Sequence, residues 1–289
     1  MNTSAFGIEK GTTIRTPSTA NLMIDSRDRD ENVYSSPWDF QIVRNQALMN
    51  GSFTRIGTTE VVMEWRESNI QGASGLKNNT ITFDLSGIAP NTYSGTQTVQ
   101  LFEDNYTIAE CLDSIVSNLN DLSGTTGMTF SIRTAPKPVS IVVKGGWAEV
   151  QEGTLADQLD ITVNAQETVL NIIEPDLRPY RYLDIVSPQL TYCQDLKDNS
   201  TATTSKDVLC RWYFAFDEQN MLDKYGFPIL MGYTQFVTRR IYNPPKQIKW
   251  DNIQPVGNVS FQVYDENGDL VKDNFTSSEW LMTLQFSEN

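Results

Sequence analysis

Apolar and polar residues alternate in short runs along most of the chain. In an early run, Trp38, Phe40 and Ile42 alternate with neighbours that would face the other side of a sheet. A period of two is typical of β-strands with one buried face. Pro37 fits only at the start of this strand, because proline donates no backbone hydrogen bond to a neighbouring strand. On this pattern we predict strands at residues 38–44, 59–65, 80–85, 98–102, 128–132, 139–143, 160–163, 168–173, 182–186, 189–193, 208–216, 226–237, 246–250, 258–264 and 280–286.

A different pattern, with apolar residues three and four positions apart, runs from Ile108 to about residue 121. This spacing predicts one amphipathic helix. Thr107 as N-cap and Glu110 three residues later form a capping-box signature at its start, and Gly124 and Gly127 follow its end. Together with the strand before it and the two strands after it, the helix forms one predicted strand–helix–hairpin unit.

Three further segments carry specific expectations. Residues 145–147, Gly-Gly-Trp, predict a turn with an anchored aromatic ring. Residues 208–216 are apolar on both faces, so this strand is expected at the centre of a sheet or at a subunit contact. Asn267 and Gly268 favour the positive φ angles of a tight hairpin turn.

Charged residues cluster in two places. The residues of the first cluster lie too close together for helical ion pairs, which need a spacing of three or four residues. We therefore predict that the first cluster is a loop whose charges pair with each other or with a neighbour. The first cluster is Asp25, Arg27, Asp28, Arg29 and Asp30, and the second is the basic pair Arg239 and Arg240.

Composition narrows the class of protein. The 289 residues are 39% hydrophobic and 20% charged, which is typical of a soluble globular protein with a substantial core. The formal charge of −14 disfavours general binding to nucleic-acid phosphates. The first 20 residues hold no apolar run of a secretion signal, and no window approaches the ~20 apolar residues of a membrane helix. Cys111, Cys193 and Cys210 lack metal-ligand spacing and are interpreted as reduced thiols.

The chain has no histidine, which excludes Ser–His–Asp and Cys–His nucleophilic sites and His-ligated metals. Residues 265–269 are too short for a calcium loop and predict a hairpin instead. Arginines between Asp25, Asp28 and Asp30 argue against a cation site there. Residues 223–225 and the pair 239–240 are interpreted as solvated loop charges. We therefore expect no enzyme activity, no catalytic residue, no metal and no cofactor.

Three blocks of the sequence resemble jelly-roll capsid proteins, namely the penton and minor capsid proteins of virophages, polinton-like viruses and giant DNA viruses. The blocks are IDSRDRD…YSSPWDFQI from residue 24, the helical unit with Asn-Tyr-Thr from residue 105, and NPPKQIKW…GNVSFQVYDENGDLV…EWLMTLQF from residue 243. The third block is the most specific, because both residue types and spacings match. Residues 1–20 and 144–177 have no such support.

The resemblance implies a mostly β fold, an antiparallel single jelly roll of viral capsid type, with the strand–helix–hairpin unit as an elaboration. We expect a flexible N-terminal arm at residues 1–20 and a jelly-roll capsid domain at residues 21–289. Within that domain, residues 97–177 are expected to form an inserted or elaborating subdomain.

The resemblance further implies a structural capsid protein, in the first place the penton protein. Such a protein forms homopentamers at icosahedral vertices and contacts the major capsid protein, with other minor capsid proteins as further candidate partners. Its place is the virion, at the capsid vertex, after synthesis inside the host cell without secretion. No specific nucleic acid and no membrane span is expected. The expected subunit-interface residues are Arg27, Asp28, Arg29, Arg239 and Arg240, because opposite charges cluster there.

Three alternatives stay open. The first is a minor capsid or cement protein beneath the capsid lattice, which the same resemblance covers. The second is a sugar-binding β-sandwich module, which the asparagine and tyrosine content would suit. The third is a carboxylate-based hydrolase, although the sequence offers no recognisable paired-acid cleft.

Overall fold

The computed structural model describes residues 19–43, 53–72, 75–191, 208–214, 221–229, 236–245, 247–249, 257–271, 275 and 277–288. Its strands are β1 (Thr19–Asp25), β2 (Asp39–Val43), β3 (Arg55–Trp65), β4 (Thr80–Gly87), β5 (Ser94–Gln100), β6 (Thr129–Arg133), β7 (Val139–Lys144), β8 (Gly146–Val150), β9 (Val169–Ile172), β10 (Tyr182–Val186), β11 (Val208–Tyr213), β12 (Phe236–Ile241), β13 (Gln247–Lys249), β14 (Asn258–Tyr264) and β15 (Glu279–Ser287). Its α-helices are α1 (Ile108–Asp121), α2 (Ser123–Thr126), α3 (Thr154–Gln158) and α4 (Pro188–Thr191), and a short 3₁₀ turn spans Ser26–Asp28.

Two antiparallel sheets face each other in a sandwich. The first sheet runs β1–β15–β3–β12, with β13 also paired to β3, and the second runs β11–β10–β14–β2. The sandwich has eight strands if β12 and β13 are taken as one. Numbered 1 to 8 in chain order, these strands lie in the order 1-8-3-6 in the first sheet and 5-4-7-2 in the second. This winding is a single jelly roll. The predicted fold class, a mostly β antiparallel jelly roll, is confirmed.

Aromatic rings from both sheets fill the space between them. Phe40 packs against Phe261 and Trp280 with ring centroids 5.7 and 5.6 Å apart, and all three side chains are buried. The indole N–H of Trp280 donates to the carbonyl of Pro37 at 2.8 Å. That bond satisfies the polar atom of a fully buried indole, so Trp280 can pack in the core without an unpaired donor.

A second core lies in the segment between β3 and β10. Its two three-stranded sheets run β5–β4–β8 and β6–β7–β9, and α1 packs its buried face onto them. The unit leaves the jelly roll after Trp65 and returns to it at Tyr182. It therefore begins ahead of the expected 97–177 segment, because β4 and the whole of β5 belong to it. We call residues 66–181 the inserted unit.

The helix was predicted accurately. It begins and ends at the expected residues, and the Thr107–Glu110 capping box is formed by both of its hydrogen bonds. Gly127 follows α2 with φ of 64°, a left-handed conformation that glycine adopts at low cost. The predicted hairpin also forms, as β6 paired with β7.

Several predicted strands were wrong. Residues 188–191 form α4, because Pro188 suits a first helical position and the Ser187 carbonyl accepts bonds from the next turn. Residues 221–229 form a tight turn around Gly226 (φ 84°), and the strand starts only at Phe236. Residues 161 and 163 make only isolated bridges. Trp147 is not anchored in a turn: it lies on β8 and is 41% exposed.

The strand predicted at 208–216 lies at one end of its sheet in the described part of the chain, not at its centre. Its strand conformation ends at Tyr213, and residues 215–216 lie outside the described residues. Leu209 and Trp212 face the core, and Tyr213 is exposed on the outer face. The apolar character on both sides therefore reflects a buried inner face and an exposed outer aromatic ring.

A buried amide network holds the first part of the inserted unit. The Asn78 side chain accepts a bond from the Gln71 N–H at 2.8 Å and donates to Asn69 O and Gln158 Oε1 at 2.8 and 2.7 Å. The Asn69 side chain exchanges two 2.8 Å bonds with the backbone of Tyr106. Bonds in both directions fix each amide, so this segment has one preferred arrangement.

Candidate assembly surfaces

The two ends of the sandwich differ. At one end, Thr19 pairs with Ser287, which in turn pairs with Arg55. At the other end, β3 stops at Trp65 and the inserted unit begins. The described N-terminal strand thus starts at the end of the jelly roll that lies away from the inserted unit.

The first charged cluster forms a turn at the inserted-unit end of β1. Arg29 is buried, and its guanidinium donates to Glu279 Oε1 at 2.9 Å and to the Ser26 carbonyl at 2.7 Å. Arg27 is exposed and pairs with Glu64 on β3. Asp28 lies exposed on the same turn. Arg29 is therefore held by its own chain, whereas Arg27 and Asp28 face solvent.

The second charged cluster, Arg239 and Arg240, lies on strand β12, so its interpretation as loop charges was wrong. Arg239 points away from the core and pairs with Glu60 on β3. Arg240 points the other way, with its guanidinium carbon 5.5 Å from the Tyr213 ring centroid and 5.8 Å from that of Trp212. These distances are typical of cation–π contacts.

The two clusters are not brought together within one chain. β1 and β12 are the two ends of the first sheet, and the turn that carries Arg27, Asp28 and Arg29 follows β1 directly. Arg239 and Arg240 therefore lie at the opposite lateral edge of the sandwich. Use of these five residues between subunits stays a prediction.

Sequence reasoning missed a third feature, on the outer face of the second sheet. Arg211 forms a bidentate pair with Asp184 at 2.7 and 2.8 Å, and its guanidinium carbon lies 3.8 Å from the Tyr182 ring centroid. Tyr213 packs against Tyr182 with centroids 5.8 Å apart. Tyr and Arg are enriched at the energetic centres of protein interfaces. The facing register of β10 and β11, had it been known, would have revealed this pairing.

Large aliphatic side chains are exposed on the outer face of the first sheet. Met23 on β1 is 62% exposed, and Val237 and Ile241 on β12 are 67% and 63% exposed. Scattered single apolar residues are normal on a protein surface. Here the three flank one sheet face, which makes it a candidate contact surface.

The inserted unit is clamped by a turn of the jelly roll at residues 221–229. The Asp223 carboxylate accepts bonds from the Ala109 N–H in the first turn of α1 and from Tyr225 N and Phe227 N. Phe227 is buried in the second core. Lys224 pairs with Asp113 on α1, and this hydrogen bond raises the pKa of the lysine. The polar residues at 223–225 thus have structural roles and are not simply solvated.

A cleft of about 440 Å³ lies where the inserted unit meets the jelly roll. Arg178 spans it, with bonds to Asp176 at 2.6 Å and to the Phe214 carbonyl at 3.1 Å. Asp160 accepts the Glu174 N–H at 3.1 Å. Asp160 and Asp176 therefore each hold part of the local structure. Other acidic side chains along its wall are Asp157, Glu174 and Glu266.

A tight turn forms at residues 265–269 as predicted, but of Asn267 and Gly268, which were both expected to have positive φ angles, only Gly268 has one. Asp265 Oδ1 accepts the N–H groups of Asn267 and Asp269, both at 2.9 Å, and Gly268 has φ of 81°. Among the residues that the structure describes, no group of three Cys, Asp or Glu side chains is arranged to hold a metal ion. No helix in the described ranges is long and apolar enough to cross a membrane.

The two described cysteines, Cys111 and Cys210, are buried thiols. Burial raises the pKa of Cys111 to about 12, so this thiol stays protonated near neutral pH. Cys210 is likewise buried, on β11. Cys193 lies outside the described residues.

Comparisons with known proteins bear on the fold. No family model matches the sequence, and no curated protein matches it. Among solved structures, the chain is similar to the crystal structure of the mavirus penton protein, with a TM-score of 0.53 and 11% sequence identity. The match covers 95% of this chain and all of that one. An identity this low relates the two proteins by architecture, so the chain has the jelly-roll fold found in the mavirus penton protein.

Proposed function

We propose that the protein is a structural subunit of a viral capsid, and in particular the penton protein at the fivefold vertices. The observation that carries this proposal is the end-to-end likeness to the mavirus penton protein, which spans both the jelly roll and the inserted unit. The three sequence blocks that resemble penton and minor capsid proteins support it independently.

The mechanism is geometric. Five copies stand around the vertex with their strands roughly along the fivefold axis, and each copy contacts the next through a different surface from the one it offers to the previous copy. Such heterologous contacts close a ring when the rotation between copies divides the circle. The inserted unit then lies at one end of the ring, and the strand that the N-terminal arm leads into starts at the other.

Partners and location follow from the vertex. The ring would contact the major capsid protein around it, with other minor capsid proteins as further candidate partners. Of the arm expected at residues 1–20, Thr19 and Ala20 belong to β1, and residues 1–18 lie outside the described residues. The protein acts in the virion after synthesis in the host cell, in a role without catalysis. Arg27, Asp28 and Arg239, which are exposed, are better placed for such contacts than the buried Arg29.

The test is the mass of the purified protein by light scattering on a sizing column, alone and after co-expression with the major capsid protein. We expect a species of five times 32.6 kDa in at least one of the two preparations. A protein that stays monomeric alone and is absent from capsids formed in its presence contradicts the proposal.

A minor capsid or cement role beneath the lattice is the second candidate. It rests on the same resemblance, and the copy number per particle separates the two. Five copies at each vertex support the penton, and copies spread over the facets support the cement protein.

A sugar-binding role has one observation in its favour. The outer face of β5–β4–β8 carries the exposed Trp147 beside Ser86 and Ser94 in one register row. Aromatic rings next to hydroxyl groups suit the stacking and hydrogen bonding of a sugar. Binding on a glycan array that disappears in Trp147→Ala would support this role, and an array without binding would remove it.

A further inference from the structure

The first sheet has complementary side chains at its two ends, in matching register rows. Asp25 on β1 pairs with Leu281, Leu281 with Val62, and Val62 with Arg239 on β12. One row therefore has an acid at one edge of the sheet and a base at the other.

The next row ends in two aliphatic residues. Met23 on β1 pairs with Thr283, Thr283 with Glu60, and Glu60 with Ile241 on β12. All four terminal residues of the two rows point away from the core, because strand residues two apart share a face. Met23 and Ile241 are 62% and 63% exposed.

A rotation about an axis parallel to the strands leaves the position of every residue along that axis unchanged. Copies related by such a rotation can therefore bring together only those edge residues that share a row. Strand direction agrees as well: β1–β15–β3–β12 alternates throughout, so β12 of one copy is antiparallel to β1 of the next. Within the described residues, the outer sides of both strands have no strand partner.

We propose that the β1 edge of one copy packs against the β12 edge of the next, with Asp25 opposite Arg239 and Met23 against Ile241. This inference rests on the proposed vertex ring and names the surfaces that close it. The occupant of each edge is a second copy of this chain.

Charge decides between a ring and a two-fold dimer. A two-fold axis along the strands sets Asp25 near Asp25 if the copies meet at β1, and Arg239 near Arg239 if they meet at β12. Like charges brought together at a contact are destabilising, whereas the head-to-tail contact pairs opposite charges. In a chain with a net charge of −14, a contact with balanced charge also limits the general repulsion between copies.

Cysteine cross-linking tests whether Met23 of one copy lies against Ile241 of the next. In a Cys193→Ser background, Met23→Cys with Ile241→Cys should give a disulfide-linked ladder ending at five chains on a non-reducing gel. The two cysteines lie at opposite edges of one sheet and cannot meet within a chain. The matched control, Met23→Cys with Val237→Cys, uses an equally exposed position four residues away, about 13 Å along β12. It should give little or no ladder.

Charge exchange tests the ion pair. Arg239→Glu should weaken association about tenfold or more, Asp25→Lys should do the same, and the double variant should recover most of the loss. Chemical denaturation of each variant checks that the subunit is still folded. Equal association of all four proteins would overturn the role of this pair.

The experiments separate this inference from the function on which it rests. They are run on rings of the purified protein or, if those do not form, on capsids co-expressed with the major capsid protein. Pentamers without a ladder, or with equal ladders for the test and control pairs, overturn the edge assignment and leave the penton proposal standing. If pentamers form neither in the purified protein nor in the co-expressed capsids, both the edge assignment and the penton proposal are overturned.

Discussion

At the scale of single residues, the charged turn after β1 holds two arginines with opposite roles. Arg29 is 8% exposed and bonds Glu279 and a backbone carbonyl, while Arg27 reaches Glu64 across the surface. Sequence alone located the charges, but it could not tell the buried one from the exposed one. That distinction depends on Glu279, which is 250 residues away in the chain.

Removing the buried arginine should be costly. Arg29→Met leaves the Glu279 carboxylate partly buried without its cation, so we expect a loss of about 3 kcal/mol in the free energy of unfolding. The matched control, Arg27→Met, should cost less than about 1 kcal/mol, because exposed ion pairs contribute little. Urea denaturation measures both, and equal losses would contradict the distinction.

Glu67 should make stability depend on pH. Burial raises its pKa above the usual value, although Ser277 and Ser278 donate hydrogen bonds to it. The folded protein then holds this proton more tightly than the unfolded chain, so the contribution is complete below pH 4.5 and is lost as pH rises through the folded pKa.

Glu67→Gln lacks that titration while keeping an acceptor oxygen. Relative to the parent protein, the variant should therefore gain stability as pH rises from about 4 to 7. Thermal or urea unfolding at several pH values gives this difference directly. A difference that does not change with pH, or that changes with the opposite sign, would show that the carboxyl has an ordinary pKa.

At the scale of elements, local signals were read well where the responsible residues are neighbours. The capping box, the apolar helix spacing and the Asn-Gly turn act over three or four residues. α1 and the 265–269 turn formed at the predicted positions, although only Gly268 of the Asn-Gly pair has a positive φ. The strand predicted at residues 189–193 was wrong, because the helix-start signal at Pro188 competed with an apolar alternation. Long-range pairing, such as β1 with β15, leaves no local trace.

The helix cap offers an element-level prediction. Thr107→Ala removes the hydroxyl that accepts the Glu110 N–H, so we expect a loss of about 1 kcal/mol in stability. Ser117→Ala, on the exposed face in the middle of α1, is the control and should be neutral or slightly stabilising. Denaturation followed by circular dichroism would reveal the difference, and equal stability of the two variants would argue against the cap.

At the scale of the whole molecule, two cores and one winding define the fold. The predicted fold class came from strand pattern together with the family resemblance, since alternation alone does not distinguish a jelly roll from other sandwiches. The candidate contact residues were located only as charge clusters. Their placement at opposite edges of one sheet required the strand order, which a single sequence does not contain.

The amide network should matter to the molecule as a whole. Asn78→Ala removes three hydrogen bonds and leaves the buried Gln71 N–H without a partner, so we expect a loss of about 2–4 kcal/mol. Asn118→Ala, on the exposed face of α1, should change stability by less than about 0.5 kcal/mol. Calorimetry of the two variants tests this, and a loss in Asn78→Ala as small as in the control would show that the network is dispensable.

The inserted unit starts and finishes close to one place. The rings of Trp65, at the end of β3, and Tyr180, just before β10, lie with centroids 6.0 Å apart. A short linker could therefore join the two strands, since closing a small gap costs little loop entropy. We therefore expect that the jelly roll still folds when a short linker replaces the inserted unit, provided that Phe227, which packs in the second core, is changed to a polar residue.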